Sequence, residues 1–190
     1  MTHTHPESPQ SAIIAVNPYQ YLPEVPSFAV SSATVTAGAP LPVAQLSGLF
    51  GVPDGKDISP QLSWTGFPPQ AKSFVVSMYD PQAPTGSGFW HWVVADIPAA
   101  TTALAEGAGA LDGDLLPHSA FQLGGDTGMA RYIGGAPPAG SGMHDYFITV
   151  SALDVAKSGL APSASAAFLG FTIAEHTIAR ATLICPTNAD

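Results

Sequence analysis

The chain is short of charge, and of positive charge above all. Only 10% of its 190 residues are charged, and five bases stand against fourteen acids, for a formal net charge of −9. No basic stripe exists, which excludes nucleic acid and an anionic membrane surface as electrostatic partners. Cysteine is nearly absent: Cys185 stands alone, so no disulfide framework can form within one chain. Long apolar runs are missing too. No stretch is long enough to span a bilayer as a helix, and Ser11 to Val16 is too short for the core of a secretion signal. A cytoplasmic location with no integral membrane contact is therefore expected. His3 and His5 near the start offer two ligands on an exposed tail, a poor metal site.

Apolar residues, by contrast, make up 46% of the chain, far too many for a disordered polypeptide. Its length suits one domain with its own core. We place a tail and extended lead-in at 1–26 and a single domain at 27–190. Nineteen prolines and nineteen glycines predict many turns and hence many short strands.

The most informative stretch runs from Ser73 to Asp96. Two apolar runs, Phe74 to Tyr79 and Phe89 to Ala95, flank Asp80-Pro81-Gln82-Ala83-Pro84-Thr85-Gly86-Ser87-Gly88. Two prolines and two glycines in that insert exclude both helix and ladder, so the stretch reads strand, rigid loop, strand. Asp80 stands at the end of the first strand and His91 just inside the second. Further strands are expected at Phe28 to Thr36, Ala44 to Phe50, the segment reaching Trp64, His144 to Leu153, and Ala181 to Cys185. Ser163 to Arg180 has apolar residues at helical spacing and is the one good helix candidate. Residues 99–128 are Gly-rich and weakly patterned. The whole predicts a mostly β protein: an antiparallel β-sandwich of Greek-key type, about nine strands, with a short C-terminal helix.

Two decoys are set aside. Gly51 to Asp57 is one residue short of a phosphate loop and ends in Asp where Ser or Thr is needed. Gly107 to Asp112 lacks the last glycine of a dinucleotide turn.

Chemistry gathers in the Asp80 loop, at His91, and in Tyr132 to Tyr146, where Pro137-Pro138 precede His144-Asp145-Tyr146. Amides near Gly134, Gly135 and Ala136 suggest an anion-accepting concavity, to which His91, His144 and Tyr146 add donors. A carboxylate beside an imidazole orients it or keeps it charged. Taken singly, each residue has a plainer reading: Asp80 as a turn residue, His91 as a core histidine between Trp90 and Trp92, His176 as a structural residue of the helix.

The same segments carry a resemblance. Ile58 to Trp64, Asp80 to Pro84, Phe89 to Val94, Gly134 to Tyr146 and Glu175 to Arg180, in this order, resemble the phosphatidylethanolamine-binding proteins, in particular their bacterial Raf kinase inhibitor-like branch. The resemblance implies a two-sheet β-sandwich with a small anion pocket at one end. It implies a ligand site formed by Asp80, Pro84, His91, Ala136, Pro137, His144 and Tyr146, with cis peptide bonds at Pro81 and Pro84, and homodimers among bacterial relatives. It implies no general catalytic activity and no cofactor. Three features depart from the family pattern. Gln82 replaces the second acid of Asp-Pro-Asp, Asp145 replaces the arginine of His-Arg-Tyr, and the usual tyrosine-x-arginine ending is missing.

The expected function is thus binding of a phosphate or phosphoryl headgroup, with regulation of another protein through the same pocket. Two alternatives stay open. One is a metal-assisted hydrolase using Asp80, His91 and His144, which no close ligand spacing favours. The other is a protein-interaction domain with a vestigial pocket. A serine hydrolase is disfavoured because Ser87 and Ser141 both miss Gly-x-Ser-x-Gly. The balance lies against an enzyme, without deciding the matter.

Overall fold

The computed structural model describes residues 17–189; the His3/His5 tail and Ser11 to Val16 lie outside them. Eight strands, β1 (Ala29–Ser31), β2 (Leu62–Thr65), β3 (Ser73–Asp80), β4 (Phe89–Pro98), β5 (Ala103–Leu104), β6 (Phe121–Gln122), β7 (His144–Leu153) and β8 (Thr177–Thr187), are accompanied by one helix, α1 (Ala166–Ile173). They form two antiparallel sheets, ordered β1-β2-β5 and β6-β4-β3-β7-β8. Among the described residues, no helix is long and apolar enough to cross a membrane.

The near-continuous apolar sequence of β3 has a direct cause. Successive side chains of a strand face opposite ways, and here both faces are covered. Phe74, Val76 and Met78 pack with Trp92, Ile148, Leu62 and Trp64 between the two sheets. Val75 turns the other way, with Val93, Ala95 and Leu153, under Leu169 and Ile173 of α1. A Leu or Phe buried this way contributes about 1.5–3 kcal/mol, so β3, β4 and β7 form a rigid plate. The ends of these three strands carry the site.

Three elements differ from the sequence expectation. Strand β1 stops at Ser31, because the Ser32 hydroxyl accepts the Thr34 and Val35 amides, each at 3.1 Å, and turns the chain. The expected strand at Ala44 to Phe50 is instead a 3₁₀ turn, Val43–Gln45, followed by further turns. Ser47 Oγ closes the next of these by accepting the Phe50 amide. The helix is shorter than its periodicity suggests. Ser165 caps its start by accepting the Phe168 amide at 3.2 Å, and it ends at Ile173. From Thr177 the chain alternates buried and half-buried residues and pairs with β7 along its whole length. Sheet pairing has outweighed the helical spacing of Thr177 to Arg180, as tertiary contacts commonly do. His176 accordingly lies in the turn before β8, its Nδ1 3.0 Å from Asp154 Oδ1. The 99–128 segment holds only the two-residue strands β5 and β6.

Candidate functional site

Strands β3, β4 and β7 present Asp80, His91, and the pair His144 and Tyr146 to one cavity of about 210 Å³. Pro84 and Ala136 also line it, as do Phe50, Ala83, Thr85, Phe89 and Pro138. Pro137 does not; its neighbour Pro138 takes that place. Strand alternation accounts for the β7 contribution. His144 and Tyr146 are 1% exposed and line the cavity, while Asp145 between them is only half-buried and does not. Sequence reasoning missed the Phe50 wall, since nothing local ties residue 50 to a loop thirty positions on. A larger cavity of about 650 Å³ lies elsewhere, lined by Tyr19, Glu24 and Arg180 among others. It brings no carboxylate–imidazole pair together.

Asp80 is the anchor. Its Oδ1 accepts the amides of Gln82 at 2.8 Å and Ala83 at 3.1 Å, and its Oδ2 lies 2.7 Å from His144 Nδ1. Asp80 therefore does two things at once: one oxygen closes the loop and the other orients His144. The expected cis bonds at Pro81 and Pro84 are absent, no cis peptide occurring among the described residues. The turn closes instead on the Asp80 carboxylate with trans geometry.

The expected anion cradle at Gly134, Gly135 and Ala136 is already occupied from within. The Gly134 amide donates to Asp57 Oδ1 at 2.7 Å, Gly135 to the Gln45 carbonyl at 3.1 Å, and Ala136 to the Tyr146 hydroxyl at 3.1 Å. The glycines serve close approach. A Cβ on Gly134 would overlap the backbone of Leu46 and Ser47, and one on Gly135 would meet Leu41 and the Tyr146 ring. Asp57 thus holds two loops together, accepting also the Leu49 amide at 2.9 Å. Burial pushes its carboxyl up, but the Gly134 and Leu49 amides, the Ser47 hydroxyl and Arg131 outweigh this and leave it below the ordinary range.

His91 is 4% exposed, and its Nδ1 lies 3.0 Å from the Ile133 carbonyl, which fixes Nδ1 as the donor. Burial drives its pKa below the usual imidazole value, against the opposing pull of the Ile133 and Gly134 backbone and the charges of Asp80 and Asp126. The lowered pKa favours the neutral ring at physiological pH, so of the two roles expected for a carboxylate beside an imidazole, burial works against the charged one at His91. Tyr146 is pushed well above the ordinary phenol range, by burial first and the Asp80 charge second, against the Ala136 amide. It keeps its proton, so its oxygen accepts from Ala136 while its O–H remains a donor. His144 spends Nδ1 on Asp80, and its Nε2 lies 2.8 Å from Ser141 Oγ. Among the described residues, no three His, Cys, Asp or Glu side chains are grouped to hold a metal ion.

The two internal departures from the family pattern meet in space. Gln82 Oε1 accepts the Asp145 backbone amide at 2.9 Å. The contact is to the backbone, so Gln82 ties the Asp80 loop to the start of β7 whichever side chain stands at 145.

Residues 31–187 match the family model described as phosphatidylethanolamine-binding protein. YbcL of Escherichia coli is 41% identical over 155 residues, covering 82% of this chain and 84% of that protein. YbhB of the same organism is 45% identical over 130 residues, covering 68% and 81%. A Mycobacterium tuberculosis protein described as the putative lipoprotein LppC is 31% identical over 174 residues, covering 85% and 82%. The crystal structure of YbcL, described as a new member of the mammalian PEBP family, superposes with a TM-score of 0.82 at 39% identity, covering 85% of this chain and 98% of that one. The family-model match spans most of the chain, the fold is shared, and the protein belongs to the phosphatidylethanolamine-binding protein family.

Proposed function

We propose that the protein binds a small ligand carrying a phosphoryl group in the Asp80–His91–His144–Tyr146 cavity, and that any regulation of a partner protein passes through that cavity. The observation that carries this reading is the convergence of polar side chains from three core strands on one small, otherwise apolar space. Such a rigid, largely preformed pocket with few convergent polar groups suits a small ligand.

Hydrogen-bond accounting narrows the ligand. Tyr146 O–H is a donor for a phosphoryl oxygen. His91, neutral with its proton on Nδ1, offers Nε2 as an acceptor. A phosphoryl group that keeps one proton satisfies both, donating to Nε2 and accepting from Tyr146. Phosphate monoesters carry that proton below a second pKa of about 6, so the pocket suits the monoanion and mildly acidic pH. Isothermal titration with O-phosphoethanolamine against ethanolamine tests this. Binding of the first but not the second, weakened in Tyr146→Phe, supports the reading; equal binding of both contradicts it.

In this reading residues 27–190 form the binding domain and 1–26 its lead-in, the location is cytoplasmic, and the protein pairs as a homodimer. The relative LppC is described as a putative lipoprotein, so location is a point to test. Cell fractionation and light scattering of the purified protein test location and assembly.

A further inference from the structure

We infer that Ser141 is a nucleophile, activated by His144 and positioned through Asp80, and that the protein carries an acyl-ester hydrolase activity at the rim of the cavity. The carboxylate, imidazole and hydroxyl are strung in the order such chemistry requires. Asp80 Oδ2 lies 2.7 Å from His144 Nδ1, and His144 Nε2 lies 2.8 Å from Ser141 Oγ. Nδ1 donates a hydrogen bond to the buried carboxylate, which orients the ring so that Nε2 faces the serine hydroxyl and can take its proton. Such constellations are recognised by geometry and roles, on unrelated folds. The missing Gly-x-Ser-x-Gly motif therefore carries little weight, because that motif belongs to one fold's strand–turn–helix.

A plainer reading makes Ser141 a turn residue, and part of that is true. Its amide donates to the Pro138 carbonyl at 3.0 Å, and its hydroxyl reaches the same oxygen at 2.7 Å. Turn closure needs only those two bonds. It does not need the third contact, to a histidine that is 1% exposed and already held by a buried acid. The single hydroxyl proton has two acceptors, and attack follows when it points to Nε2. Ser141 itself is only half-buried, so solvent reaches it, and Pro138 lines the adjoining cavity. The residue after it, Gly142, is exposed, and its amide donates no backbone hydrogen bond among the described residues. An amide in that place is where an oxyanion donor is often found.

The step balances as ordinary acyl transfer. Ser141 Oγ bonds to the ester carbonyl carbon and its proton passes to His144 Nε2. The proton is then given to the leaving alkoxide as the carbon–oxygen bond breaks. Water repeats the sequence on the acyl-serine, releasing the acid and restoring Ser141. Asp80 acts through His144 and is a positioning residue. This chemistry does not require phosphate in the cavity, so it stands or falls apart from the binding proposal.

The test is covalent labelling of the full chain with a small alkyl fluorophosphonate, in which an Oγ–P bond forms as fluoride leaves. It is read by intact mass and peptide mapping, alongside turnover of p-nitrophenyl acetate. One adduct is expected, on Ser141, absent in Ser141→Ala. Its rate should fall by about 100-fold or more in His144→Gln, as loss of a general base predicts, and fall also in Asp80→Asn. Wild-type mapping does not depend on the folding of any variant. No adduct on Ser141, an adduct on another residue, or unchanged labelling in folded His144→Gln each overturns the inference.

Discussion

Asp80 and His144 stand 64 positions apart in the chain, yet Oδ2 of one lies 2.7 Å from Nδ1 of the other, with side chains 3% and 1% exposed. This contact ties the end of β3 to the start of β7. Removing one partner leaves the other's buried hydrogen-bonding group unsatisfied, at about 1–3 kcal/mol. We expect Asp80→Ala and His144→Ala each to destabilise the fold by that order. The double variant should cost less than the sum, with a coupling of about 1–3 kcal/mol. Urea unfolding of the four proteins measures it; strict additivity would mean the pair is not a unit.

His91 supplies a pH dependence of stability. Its folded pKa lies below the unfolded value near 6.5. Between those two values the unfolded chain binds the extra proton, so stability from this group is complete above about pH 6.5 and is lost as pH falls through the folded value. We expect the urea midpoint to drop between about pH 7.5 and pH 5, and the drop to shrink in His91→Gln. An unchanged slope in that variant would assign the effect to other groups.

Gln82 and Asp145 provide a test of paired departures. Gln82→Asp draws the acceptor back by one methylene and so forfeits the bond from the Asp145 amide, leaving a carboxylate near the start of β7, a cost of about 0.5–1.5 kcal/mol. Adding Asp145→Arg should recover most of it. A double variant no more stable than Gln82→Asp would show that the two positions are not coupled.

Asp145 also tests the strand register. Its side chain lies off the cavity, so its charge acts on a bound anion only at ~8–10 Å through high dielectric, about 0.4–1 kcal/mol before screening. Asp145→Arg should change phosphate affinity by less than about fivefold, within ~1 kcal/mol. Tyr146→Phe removes a direct donor and should cost about 1 kcal/mol or more. Titration of both variants in one buffer compares them; a larger effect at Asp145 would contradict the proposed placement of the ligand.

Much of this was legible before any coordinates. The apolar runs at β3, β4 and β7 are long, flanked by Pro and Gly, and buried on both faces, so their pattern is strong. The convergence of Asp80, His91, His144 and Tyr146 followed from where those runs end. What was hidden depended on distant partners. Thr177 to Arg180 is helix by spacing and strand by its pairing with β7. The glycine amides near residue 135 look open until Asp57 and Gln45 arrive to take them. The neutrality of His91 comes from burial, which no local motif encodes, and Ser141 needs three dimensions to meet His144.

The central claim is that a phosphoryl group in the cavity hydrogen-bonds to both His91 and Tyr146. The most direct measurement is NMR of imidazole ¹⁵N-labelled protein titrated with inorganic phosphate near pH 6. The account predicts a saturable shift of the His91 Nε2 resonance, lost in Tyr146→Phe, with His118 and His176 unmoved. No saturable change at His91, or equal drift of all the histidines, would contradict it.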